Sequence, residues 1–194
     1  MNDRLSALSP ALRRFIERSR VCAQNSDNAV DCVTAIAPLM LELLEGGCDF
    51  FEPGHLRSDP AHYARNAIYI DDDGRLSLFA LVWLPGQWTP VHDHGTWGVV
   101  GVAEGVLEER NYMADGRIAR DEGIVLHCGG SIILTEKAVT TFVPNPDHIH
   151  KTGVPENRRK AVTLHLYGRE MSNFHVYDPE AGTRRLIDVA HYKS

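Results

Sequence analysis

From Asn66 almost to its end the chain is a succession of short β-prone runs cut by turn residues. That texture constrains the fold more than any other feature of the sequence. Ala67-Ile68-Tyr69-Ile70 and the run from Leu76 to Trp83 flank Asp71-Asp72-Asp73-Gly74, which reads as a hairpin across an Asp-Gly turn. Further short runs follow at 98–103, 107–112, 124–127, 132–134, 140–143, 148–153, 162–167, 174–177 and 184–189. Turns are expected at Ala114-Asp115-Gly116, at Cys128-Gly129-Gly130 and over 178–182. Many short strands with regular turns predict a mainly β body built as a double-sheet barrel or sandwich.

The first ~45 residues have a different period. Leu5, Leu8, Leu12, Phe15 and Ile16 recur at helical spacing, with Pro10 where a first turn tolerates it. A second helix is expected from about Asp27 to Leu44, its apolar face made by Val30, Val33, Ile36, Leu39 and Met40, and Gly46-Gly47 stop it. A short helical turn is expected near His62. The whole reads as a helical cap (about 1–62) on a β-barrel (about 63–194), one domain of 194 residues.

Composition narrows the partners. A net charge of -6 without a Lys/Arg-rich run argues against nucleic acid. The Met1 region lacks a basic start followed by an apolar core, and the longest apolar run is broken by Pro38, so neither a signal peptide nor a membrane span is expected. Cys22, Cys32, Cys48 and Cys128 form no CxxC pair, which fits free thiols in a reducing cytoplasm. The expected state is a monomer, with weak homo-oligomerisation as the alternative.

The chemistry lies in the histidines. His92 and His94 are two apart, so on extended chain both imidazoles point to one side, whereas Asp93 between them points away. A second cluster, Asp147-His148-Ile149-His150, follows about fifty-five residues later. A third stretch, Thr163-Leu164-His165-Leu166-Tyr167, alternates so that Thr163, His165 and Tyr167 share one face. Turned inward, such a polar row needs partners; a chance alternation on a solvated face is the alternative. Histidine-only ligation suits Zn, Fe, Cu or Ni, and three histidines leave positions open for substrate and dioxygen. His127, His175, His55, His62 and His191 have no partner at ligand spacing and read as structural or solvent-facing. Trp88 and Trp97 read first as core, with a place in the pocket wall as the alternative.

Gly86, His92-Asp93-His94 and Gly105 resemble the first cupin motif, with Gly98 where its glutamate ligand would fall. A cupin lacking that glutamate, with a later histidine and a Thr-Leu-His-Leu-Tyr strand, resembles the cysteine dioxygenase family of thiol dioxygenases. Tyr63-Ala64-Arg65-Asn66 resembles that family's Tyr-Thr-Arg-Asn, and the interval from His150 to His165 matches its spacing from third ligand to triad histidine. The resemblance covers roughly residues 60 to 170. It implies a cupin jelly roll holding one Fe(II) per chain through His92, His94 and His150. It also implies that Arg65, with Tyr63, binds the substrate carboxylate, and that Tyr167, His165 and Thr163 form the catalytic row. The implied reaction adds both atoms of O₂ to the sulfur of a small carboxylated thiol, L-cysteine first. Both histidines of the second cluster would face one side of a strand; the spacing favours His150 as ligand and puts His148 behind it or at the pocket mouth.

The departures are informative. Animal members of the family carry a cysteine, cross-linked to the triad tyrosine, where this chain has Gly98, so Tyr167 is expected to be free. Bacterial relatives that oxidise 3-mercaptopropionate carry glutamine in place of Arg65, which favours cysteine here. Gly168-Arg169 stands in place of a Ser-Pro step, so the backbone beside Tyr167 is expected to differ. Arg169 is a second candidate for a carboxylate, which keeps mercaptosuccinate open. The rival readings are a Zn or Ni cupin hydrolase or isomerase, which needs no O₂, and a non-catalytic ligand-binding cupin.

Overall fold

The computed structural model describes residues 3–144 and 148–193. Asp147, part of the second histidine cluster, and Met1-Asn2 lie outside them. Three helices come first, α1 (Asp3–Ala7), α2 (Pro10–Asn25) and α3 (Ala29–Glu45). The first periodic stretch is thus two helices rather than one. The break falls at Ser9, which accepts from Leu12 N to cap α2, with Pro10 at the first helical position. Asn28 caps α3 by accepting from Asp31 N at 3.0 Å. The helical turn expected near His62 is absent; a 3₁₀ turn lies instead at Pro53–Leu56.

The strands are β1 (Ala64–Ile70), β2 (Ser77–Trp83), β3 (Val91–His92), β4 (Gly98–Glu104), β5 (Val106–Ala114), β6 (Leu126–Thr135), β7 (Val139–Phe142), β8 (Ile149–Gly153), β9 (Ala161–Tyr167), β10 (Asn173–Asp178), β11 (Thr183–Asp188) and β12 (Tyr192–Lys193). They form two six-stranded sheets, ordered β12-β1-β2-β9-β4-β7 and β11-β10-β3-β8-β5-β6. All pairings are antiparallel except β1 with β12. This is a cupin jelly roll with helices packed outside. Two expected strands, 124–127 and 132–134, merge into β6. Cys128-Gly129-Gly130 is no turn, because pairing with β5 continues through it with a register shift, and Gly130 takes φ 136.

The first sheet is covered on both faces, which is why β2 reads as a nearly continuous apolar run and every residue of β9 is buried. Leu78, Ala80, Val82, Leu164 and Leu166 face the helices and pack with Leu12, Phe15, Ile36 and Met40. Their neighbours of opposite parity, Phe79, Leu81, Trp83 and Tyr167, face the interior between the sheets. Burial of each such leucine contributes on the order of 2 kcal/mol. Alternation therefore splits β9 as expected, with the leucines under the helical cap and the Thr163–His165–Tyr167 row turned inward.

Candidate metal centre

The three histidines come from the second sheet and the segment that follows its β3. His92 and His150 are register partners across β3 and β8, and His94 follows β3 directly. One ring nitrogen from each lies within 4.8 Å of the other two, and all three residues are buried. Burial, and then each ring's histidine neighbours, push His92 and His94 well below their ordinary value. Burial likewise lowers His150. Neutral imidazoles with free lone pairs are what a divalent metal binds. His150 Nε2 is buried with no protein partner among the described residues, so the donor set suits a metal on geometry as well as chemistry.

Each ring is held differently. His92 Nδ1 lies 3.1 Å from Pro90 O, so it can donate there and leave Nε2 bare. His150 Nδ1 faces Glu109 Oε2 at 3.2 Å, at an angle short of a well-formed hydrogen bond. His94 stacks on Phe142, ring centroids 4.1 Å apart at 25°, and its Nδ1 has no hydrogen-bond partner among the described residues. His148 stands behind this shell. It contacts Asn111 Oδ1 at 2.9 Å and Glu109 Oε1 at 3.4 Å, and its ring lies nearly parallel to that of Phe142, centroids 5.0 Å apart. The two histidines hold Glu109 ionised, well below the usual carboxylate range despite its burial. Glu109, His148 and His150 form a second group able to hold a metal, one that shares His150 with the first.

Asp93 points away from the three rings, as extended backbone requires. It accepts from His175 N and Tyr177 Oη and lies 3.1 Å from His175 Nδ1, which ties the His92–His94 segment to β10. His175 thus has a structural contact, with Asp93.

The facing sheet supplies the rest. On β9, Thr163 Oγ1 lies 2.8 Å from His165 Nε2, and His165 Nδ1 lies 3.1 Å from Tyr167 Oη. Burial keeps His165 neutral down to about 3 and raises the Tyr167 phenol far above its ordinary value. Arg65, on β1, is buried; Nη2 donates to Met171 O at 2.8 Å and the guanidinium sits 4.9 Å over the Phe79 ring. Its Nη1 is buried with no partner among the described residues. Tyr63 stacks on Trp83, centroids 4.6 Å apart at 20°. One narrow cavity is lined by Tyr63, Arg65, His92, His94, His150, His165 and Tyr167 and flanked by Leu81, Met171 and Phe174.

Arg169, Trp88 and Trp97 fall outside it. Arg169 is spent on the chain itself, donating to His94 O, Asn173 Oδ1 and Asn173 O, so it clamps the segment after His94. Trp88 lies under Arg110 and Lys151, and Trp97 packs with the helix-side core; neither lines the cavity. Gly98 pairs with both Tyr167 and Phe142, and a Cβ there would overlap the Phe142 ring. The place of a cupin glutamate is filled by phenylalanine.

Trp83, Glu109 and Phe142 were not singled out from sequence. Each reaches the site through a strand neighbour distant in the chain, on β9, β8 and β4 respectively. Without that pairing Trp83 and Phe142 read as ordinary core and Glu109 as solvated.

Solved structures with a similar fold include an uncharacterized conserved protein with a double-stranded β-helix domain from Klebsiella pneumoniae (12% identity over 73% of this chain and 99% of that one, TM-score 0.45). A cupin-like protein from Thermotoga maritima also matches (16%, 73% and 90%, TM-score 0.44). So does a hydroquinone 1,2-dioxygenase in complex with Cd2+ and 4-hydroxybenzonitrile (12%, 58% and 67%, TM-score 0.43). At the level of families, the model of cysteine dioxygenase type I matches residues 54–180, which hold every histidine, arginine and tyrosine of the cavity. With well over half of its length matched, this chain belongs to the cysteine dioxygenase type I family.

Proposed function

We propose that the protein is a non-haem Fe(II) thiol dioxygenase, with His92, His94 and His150 as ligands, that converts L-cysteine to cysteine sulfinate. When bound, a ferrous ion supplies the acidity that keeps the thiol ionised and the redox chemistry that adds dioxygen to sulfur. The overall step balances without a reductant: R–SH + O₂ gives R–SO₂H. The observation that carries the reading is Arg65 Nη1, a buried cationic donor without a partner among the described residues, beside three converging imidazoles. A buried guanidinium demands an anion, and its planar fork matches a carboxylate. The thiol substrate would thus be held by its carboxylate at Arg65, with its sulfur toward the histidines.

Around that pose the chain does four things. Tyr63, fixed by its stack on Trp83, walls the carboxylate end. Leu81, Met171 and Phe174 keep water from the sulfur. Tyr167, protonated because its pKa is raised by burial, offers a hydroxyl to an oxygen of the substrate. His165 and Thr163 orient that hydroxyl. With Arg169 engaged by His94 O and Asn173, a second carboxylate meets no further cation in the cavity among the described residues, which favours a monocarboxylate over mercaptosuccinate. The four cysteines are free, in keeping with a reducing cytoplasm. Among the described residues no helix is long and apolar enough to cross a membrane.

Iron-loaded protein supplied with cysteine in ¹⁸O₂ should consume oxygen and place two labelled atoms on the sulfinate. Oxygen uptake faster with 3-mercaptopropionate would reassign the substrate. No uptake with cysteine, 3-mercaptopropionate or mercaptosuccinate would overturn the reading.

A further inference from the structure

The contacts behind Tyr167 carry a direction, and an indole sets it. Trp83 is fully buried at the end of β2, and its Nε1–H reaches Thr163 Oγ1 at 2.9 Å. An indole nitrogen donates and never accepts, so Thr163 Oγ1 accepts there. The same oxygen lies 2.8 Å from His165 Nε2, and these are its only polar contacts among the described residues. Thr163 is fully buried and has one proton to give. His165 Nε2 is the acceptor within reach, and a buried hydroxyl that does not donate forfeits a hydrogen bond. With Nε2 accepting, the neutral ring carries its proton on Nδ1, 3.1 Å from Tyr167 Oη. The phenol oxygen then accepts from His165, and its own proton is left to turn into the cavity.

We propose that Trp83 is a positioning residue that acts through Thr163 to fix His165 as the Nδ1–H tautomer, making Tyr167 a hydrogen-bond donor to the substrate. The opposite polarity would crowd two donors onto Thr163 Oγ1, strand the threonine proton, and draw the tyrosine proton toward His165 and out of the site. The inference deepens the reading above and rests on it for its kinetic arm alone.

The test is ¹⁵N NMR of full-length protein labelled at histidine and loaded with diamagnetic Zn(II), with His165 identified by the signals lost in His165→Gln. His165 should show a protonated Nδ1 and a bare Nε2. Trp83→Phe keeps an aromatic ring and removes the N–H; Thr163→Val is nearly isosteric and removes the hydroxyl. Each should shift His165 toward the other tautomer. Each should also lower kcat of the iron-loaded enzyme on the order of tenfold, the worth of one buried hydrogen bond, with KM for the thiol unchanged. A wild-type ring protonated on Nε2, or an unchanged tautomer in the variants, would overturn the proposal. Should Trp83→Phe fail to fold, the wild-type spectrum and Thr163→Val decide. Wild-type enzyme that consumes no oxygen would defeat the dioxygenase reading and leave the NMR result to judge Trp83.

Discussion

Replacing Arg65 by glutamine separates substrate recognition from folding. The native guanidinium is 8% exposed, holds Met171 O through Nη2, and leaves Nη1 unpartnered among the described residues. In the free protein the substitution therefore removes a buried cation and leaves a neutral amide in its place. Thermal stability should hold or rise, since burying an unpaired charge costs stability. With a carboxylated thiol the balance reverses. A charge-assisted hydrogen bond is worth about 1.5–3 kcal/mol, so kcat/KM for cysteine should fall roughly ten- to hundredfold. The assay is oxygen uptake by iron-loaded enzyme, comparing cysteine with cysteamine, which has the same thiol and amine and lacks the carboxylate. Cysteine should suffer the loss and cysteamine, with no carboxylate for Arg65 to hold, should change little. An equal loss for both thiols, or none for either, would refute the assignment of Arg65 to the carboxylate.

Three other outcomes are expected. Glu109→Gln removes the charge 3.2 Å from His150 Nδ1 and should weaken Zn(II) or Fe(II) binding about 10- to 100-fold, read by competition with a chelator. Gly98→Ala forces a methyl into the Phe142 ring and should cost about 1–3 kcal/mol of unfolding free energy, with Gly98→Ala/Phe142→Leu recovering part of it in a double-mutant cycle. His165 is buried neutral, its pKa pushed from 6.5 to about 3, so the folded state binds fewer protons than the unfolded one between those values. Stability is thus full above pH 6.5 and falls as the pH drops toward 3. At pH 5 this ring alone accounts for about 2 kcal/mol by linkage. His92, His94 and His150 act in the same direction in metal-free protein. Denaturant midpoints at pH 7.5 and pH 5 measure it, and equal midpoints would contradict a neutral histidine cluster.

Whatever follows from order along one strand or one helix was legible in the residues alone. Period-two alternation placed Thr163, His165 and Tyr167 on one face, and the His-x-His spacing aimed His92 and His94 together with Asp93 opposed. Turn residues marked most strand ends, although Cys128-Gly129-Gly130 looked like a turn because two glycines suit a bulged strand equally well. The tertiary structure alone decided whatever depends on which strands are neighbours. Arg169 could be taken for a substrate cation until its donors were seen to meet backbone carbonyls near His94 and Asn173. Gly98 looked like a missing ligand, and the fold reveals a position with no room for a side chain, because Phe142 on the adjacent strand occupies it. Trp83 and Glu109 acquire their contacts only when β2 lies beside β9 and β5 beside β8. Hydrogen bonds and stacking act over a few ångströms of space, and residues eighty apart along the chain, such as Trp83 and Thr163, become neighbours only after the sheets have formed.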